Sequence, residues 1–231
     1  MLHLSPDELT AIRLSLRVAA VAVLASLPFA FGTAWLLARR RFPGSTLLEG
    51  IVHLPLTLPP VVTGYLLLLL FGRNGPIGAF LAGHFGIVFA FRWTGAALAA
   101  AVMGFPLMVR AMRLALESVD ARLEEAAATL GAAPAWVLLT VTLPLMGPGI
   151  VSGAVLAFAR SMGEFGATIT FVSNIPGETQ TLATAIYTFT QVPGGDSAAL
   201  RLVAISIALS LAALVVAERL DRLGRRKVRG L

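Results

Sequence analysis

The run Val18–Ala38 holds no charged residue and is bounded by Arg17 and Arg39. At about 1.5 Å per residue, a helix of that length crosses about 30 Å of hydrocarbon. In lipid an unpaired backbone N–H or C=O is costly, so only helices and closed barrels span it. Long apolar runs recur at Ile51–Phe71, Ile87–Val109, Leu138–Ala159 and Ala198–Ala217. The expected fold is therefore all-α: one polytopic membrane domain, 1–231, with about five spans near 14–38, 51–71, 87–109, 138–160 and 198–217. Composition agrees. The chain is 57% hydrophobic and 13% charged, against about 45–50% apolar and about 25% charged in soluble domains.

Punctuation between the spans sets topology. Ser5-Pro6-Asp7-Glu8 reads as a helix start, and Phe42-Pro43-Gly44 as a turn. Pro55, Pro59 and Pro60 disturb the second span, which either begins late, near Pro59, or has irregular backbone against protein or water. Gly72–Gly86 reads as an exposed glycine-rich loop. Thr181–Gln191 is too short to span, so 161–197 is expected to be periplasmic or re-entrant. Basic residues cluster at Arg39–Arg41, at Arg110, Arg113 and Arg122, and in the tail from Arg219 to Arg229. Five spans put all three clusters on one side, which is then the cytoplasm, with the N-terminus outside and the C-terminus inside. The N-terminal run ends in arginines rather than at a small-residue cleavage site, so no cleavable signal is expected. The net charge of +6 sits beside apolar segments, which explains it without nucleic acid.

The sequence offers little for catalysis. It has no cysteine, and His3, His53 and His84 stand far apart. A phosphate-binding loop needs a lysine, and the only lysine is Lys227, in the tail. No Gly-x-Ser-x-Gly or His-Glu-x-x-His motif is present. The reading is a non-enzyme that binds no cofactor itself. Arg160 and Glu164, spaced i, i+4 beside the fourth span, form either a membrane-edge ion pair or a functional contact with a pathway or an outside partner. Ser161, Gly163, Gly166, Thr168 and Thr170 nearby suit close helix packing or a wet path.

The stretch Glu117–Pro144 carries several charges between apolar segments. Val119, Leu123, Ala126 and Leu130 share helical spacing, with Asp120, Arg122, Glu124 and Glu125 largely on other faces. Gly131 reads as a helix terminator and Pro134 as a first-turn proline. Two short helices outside the lipid are expected, as a connecting loop or a docking knob.

Glu125-Ala126-Ala127, Gly131 and Leu143-Pro144 resemble the cytoplasmic EAA loop of permease subunits of ABC importers, with Val141 where isoleucine is usual. Ala159–Thr168 (ARSMGEFGAT) and Leu54–Tyr65 (LPLTLPPVVTGY) look like the molybdate permease branch and its sulfate-permease relatives. The resemblance implies the MetI-like permease fold with a cytoplasmic coupling-helix loop at 117–144. It implies a homodimer in the bacterial inner membrane, two cytoplasmic ATPase subunits that bind ATP and Mg, and a periplasmic oxyanion-binding protein. The substrate expected is molybdate; the alternatives are tungstate, sulfate or another tetrahedral oxyanion, and a non-transporting scaffold. Glu125, Ala126, Ala127, Gly131, Val141, Leu143 and Pro144 are the expected coupling residues. Arg160, Glu164, Thr168, Thr57 and Thr63 are candidates for the pathway or for contact with the binding protein.

Overall fold

The computed structural model describes residues 4–40 and 42–229, with side chains to Arg219 except Ala217. His3, Arg41 and the side chains of the basic tail beyond Arg219 therefore lie outside the described residues. Helix α1 (Pro6–Arg39) starts at a capping box. The Ser5 hydroxyl accepts from the Glu8 N–H at 3.2 Å, and the Glu8 carboxylate accepts from the Ser5 N–H at 2.6 Å. Next come α2 (Ser45–Thr57), α3 (Pro60–Phe71), α4 (Pro76–Phe85) and α5 (Trp93–Glu117). After α6 (Ala121–Thr129) and the single turn α7 (Pro134–Val137), a π turn (Leu138–Thr142) leads into α8 (Leu143–Met162). The chain ends with α9 (Gly166–Val172), α10 (Leu182–Thr190) and α11 (Asp196–Arg229).

Among the described residues, four helical stretches are long and apolar enough to cross a membrane: Pro6–Arg39, Trp93–Glu117, Pro134–Met162 and Asp196–Val216. The apolar run 51–71 is not one straight helix. Pro59 and Pro60 divide it, and α2 and α3 meet at 114°. Proline cannot donate a backbone hydrogen bond, and it pushes the preceding residue out of helical geometry, so Pro59-Pro60 stops the ladder. The glycine-rich stretch after α3 contains α4 rather than only loop. Its turn is tight enough that a Cβ on Gly75 or Gly78 would strike the carbonyls of Leu69–Gly72.

Contacts fix how the helices run. Arg17 stacks on Trp93, 3.7 Å from the ring centroid; Ser26 Oγ lies 3.5 Å from Met108 Sδ; Arg201 pairs with Glu8. So α1, α5 and α11 run in the same direction, and Arg39, Arg110 and Arg113 lie toward one end of the bundle. Helix α8 is antiparallel to α5, with Gly104 beside Ala157 and Gly149 beside Ala115. Small residues make this crossing close: a Cβ on Gly104 would lie 3.2 Å from the Ala157 Cβ, and one on Gly153 would lie 3.1 Å from that of Ala111. Met103, Met108, Met112 and Met146 fill the remaining gaps as fully buried side chains.

The seam between α3 and α9 is also tight. A Cβ on Gly64 would stand 2.5 Å from the Ala167 carbonyl oxygen, and one on Gly166 would stand 2.7 Å from the Pro60 Cβ. Substituting Gly64 by alanine should therefore lower stability by about 1–3 kcal/mol through overpacking. Gly32→Ala in α1, where a Cβ meets nothing within 4 Å, should be neutral or slightly stabilising. Thermal unfolding of both purified variants in detergent checks the contrast.

Candidate functional site

Helix α6 is capped at both ends by local chemistry. The Asp120 carboxylate accepts from the Arg122 N–H at 3.0 Å. At the other end Gly131 takes φ +88°, a left-handed conformation that costs an L-residue roughly 1–2 kcal/mol. The Gly131 N–H donates to the Ala128 carbonyl at 3.0 Å and the Ala132 N–H to the Ala127 carbonyl at 3.2 Å. This is the paired Schellman arrangement, which satisfies the last carbonyls of the helix. Pro134 then opens α7 at its first position.

No side chain of α6 is buried. Leu123, Trp136 and Leu139 are exposed, and Leu130 is 89% exposed. Helix α6 and α7 therefore present large apolar groups away from their own bundle. The bundle-facing side is polar. Glu124 Oε1 accepts from Arg39 Nη2 at 2.7 Å and from Thr142 Oγ1 at 2.6 Å, and Ala127, one turn on, is half-buried. The spacing of Leu123, Ala126 and Leu130 correctly finds an apolar stripe, but that stripe points outward. Of the expected coupling residues, Glu125, Ala126, Gly131 and Pro144 are exposed, and Val141 and Leu143 are half-buried. Val141 sits in the π turn, where the Leu143 N–H reaches back five residues to the Leu138 carbonyl.

The opposite end of the bundle contains a second cluster. Arg160 Nη1 lies 2.7 Å from Glu164 Oε2, while Glu164 Oε1 accepts from the Ala167 N–H at 2.8 Å. Glu164 is only 3% exposed, so its charge is held by an arginine on one side and the first turn of α9 on the other. Thr168 is buried one residue beyond Ala167. Thr63, beside Gly64 on the other wall of the seam, is also buried, and its Oγ1 has no hydrogen-bond partner among the described residues. Thr57 stands apart: it is exposed at the end of α2 and donates to the Leu54 carbonyl at 2.9 Å. The structure thus brings Arg160 against Glu164 and leaves Thr57 on the surface. A third ion pair, Arg201 Nη2 to the fully buried Glu8 Oε1 at 2.9 Å, joins α11 to α1.

The family described as "Binding-protein-dependent transport system inner membrane component" matches residues 26–226. The chain belongs to this family. The membrane component is 61% identical over 224 residues to the molybdenum transport system permease protein ModB of Escherichia coli (strain K12), covering 97% of this chain and 98% of that protein. It is 55% identical to ModB of Haemophilus influenzae, covering 96% of each chain. The sulfate transport system permease protein CysT of Salmonella typhimurium is 38% identical, over 97% of this chain and 80% of that one. Among solved structures, an inward-facing MetNI methionine ABC transporter superposes with a TM-score of 0.71 at 17% identity, covering 93% of this chain and 94% of that chain. A bacterial ABC transporter involved in import of the polysaccharide alginate gives a TM-score of 0.70 at 18% identity, covering 97% and 81%. These two likenesses carry the MetI-like permease fold.

Among the interactions that escape the sequence reading of this membrane component are two groups of residues. Glu124 with Arg39 and Thr142 is one; Glu8 with Arg201, 193 residues apart, is the other. For the first, no local pattern points from Glu124 to Arg39, 85 residues away. For the second there was none beyond the Ser5–Glu8 capping pattern. Arg201→Met should destabilise the chain by about 1.5–3 kcal/mol, because it leaves the buried Glu8 carboxylate without its charged partner. Arg201→Lys should recover part of that loss. Thermal midpoints of the two variants at neutral pH check this.

Proposed function

We propose that this chain is the membrane-spanning subunit of an ABC importer that carries molybdate inward, driven by ATP hydrolysis on separate chains. The observation that carries the reading is its 61% identity to a molybdenum permease over nearly the full length of both proteins. Lys227 being the sole lysine supports an energy source outside the chain, because a phosphate-binding loop needs a lysine it cannot supply. Two ATPase subunits, which bind the ATP and Mg, would dock on α6 and α7 of a homodimer. The exposed Leu123, Leu130 and Trp136 support that docking, since large apolar groups outside the lipid gain from a protein cover. Glu125, Ala126, Ala127 and Gly131 would then shape the contact: small residues for close approach, a carboxylate at its edge, and a fixed helix end.

The chain is an inner-membrane component. The end where α1, α5 and α11 finish, rich in arginine, would face the cytoplasm by the positive-inside rule. The N-terminus and the region 161–197 would face a periplasmic binding protein. The anion would pass near the seam of α3 and α9, where Thr63 and Thr168 offer hydroxyls close to the Arg160–Glu164 pair. A tetrahedral dianion needs only weak sites along such a path, because release must be fast. Selectivity would lie mostly in the binding protein.

The relation to a sulfate permease at 38% identity keeps sulfate as a second reading, with tungstate close to molybdate in shape and charge. Proteoliposomes carrying the assembled transporter should take up labelled molybdate in an ATP-dependent manner, and excess tungstate should compete. Uptake of sulfate without molybdate would overturn the assignment. Leu130→Asp should reduce copurification of the ATPase subunit at least about tenfold, since it puts a charge into an apolar contact. A membrane scaffold with no such partner would copurify none with either form.

A further inference from the structure

We propose that Glu124, not the neighbouring Glu125, is the positioning residue that transmits motion of α6 into the membrane helices. The proposal rests on the docking of an ATPase on α6 argued above. Helix α6 buries no side chain of its own, so packing does not fasten it to the bundle. The charge-assisted link at Glu124 does. A single carboxylate oxygen, Oε1, accepts from Arg39 Nη2 at the end of α1 and from Thr142 Oγ1 at the start of α8. Thr142 is 1% exposed, and the Arg39–Glu124 pair is largely shielded, so these bonds work where water competes poorly. The π turn at Leu138–Thr142 matters here. Its five-residue hydrogen bond adds one residue to a helical turn, which resets the facing of α7 against α8 while Thr142 meets Glu124. Glu125 is exposed beside this joint and, among the described residues, its side chain makes no hydrogen bond or ion pair to the bundle, which leaves it to the partner.

Two helices that bracket the bundle thus end on one oxygen carried by α6. A push or twist on α6 reaches α1 and α8 together, whereas loss of the carboxylate charge removes the ion pair and leaves weaker neutral bonds to hold α6 to the bundle. Physical coupling through such a contact is worth a fold-change of roughly 2 to 30.

The test uses the full transporter, with ATPase and binding protein, in proteoliposomes. Molybdate taken up per ATP hydrolysed is measured for the wild type, Glu124→Gln, Arg39→Gln and the double variant, alongside ATPase copurification. Glu124→Gln should keep the ATPase bound and hydrolysing while uptake per ATP falls roughly 2- to 30-fold. Arg39→Gln should fall similarly, and the double variant should be no worse than the singles, because all break the same joint. Arg39→Lys should restore part of the ratio. An unchanged ratio in Glu124→Gln, or additive losses in the double variant, would overturn the proposal. So would loss of the ATPase from Glu124→Gln alone, which would make Glu124 a docking group. Absence of the ATPase from the wild-type complex would instead sink the docking reading, and this proposal with it.

Discussion

Close contact between helix backbones carries this bundle. Lipid tails are as apolar as leucine, so burying leucine between helices gains little over leaving it in the bilayer. Dispersion across short distances has to serve instead. Helix α5 meets α8 through Gly104, Gly149 and Gly153 against Ala157, Ala115 and Ala111, and it lies along α1 through a face of alanines and methionines. The outward-facing leucines of α3 and α11 stay exposed, which suits a lipid-facing surface. The apolar pattern thus recruits the chain to the membrane, and the small residues decide which helices touch.

With dispersion fixing the centre, charge fixes the ends. Arg113 holds Glu49 of α2 at 2.7 Å and Glu117 of its own helix at 2.8 Å, and Arg39 holds Glu124. At the other end Arg201 holds Glu8, and Arg160 stands over Glu164. A buried carboxylate without a cation or N–H donors would be strongly penalised. Glu8 and Glu164 each have both: an arginine, and backbone N–H groups of Ser5 and Ala167 respectively. Each pair joins segments that the apolar contacts alone leave loosely oriented.

The sequence reveals whatever depends on local pattern. Charge-free runs announce membrane helices, Gly131 announces a left-handed helix end, and Pro59-Pro60 announces a break whose 114° angle no local rule specifies. The fold class follows from these signals. The orientation of α6 does not. The usual inference turns an apolar stripe toward the protein, but Leu123 and Leu130 lie outward and Glu124 lies inward. The inference fails because α6 is tied to the bundle through Glu124 rather than through its apolar stripe. Long-range pairs such as Glu8 with Arg201 are invisible for a different reason: each residue is an ordinary charge near a helix start until α1 and α11 are known to run side by side. The π turn is hidden because its residues, Leu138–Thr142, favour no register in particular.

Helix α8 gains its meaning from what lies at its two ends. From Pro134 the chain stays helical to Met162, about 40 Å at about 1.5 Å per residue. One end begins at Thr142, bonded to Glu124. The other carries Arg160, which stands against the buried Glu164 that opens α9. Helix α9 in turn packs against α3 with no room for a Cβ at Gly64 or Gly166. Contacts therefore run without a gap from α6 through α8 to the α3–α9 seam. Pro144 and Pro148 each lack the N–H that would bond back one turn, so the hydrogen-bond ladder of the rod is interrupted there and it can bend. Closely packed interfaces switch between discrete arrangements rather than deforming gradually, so a rod hinged in this way can hand one two-state change to another.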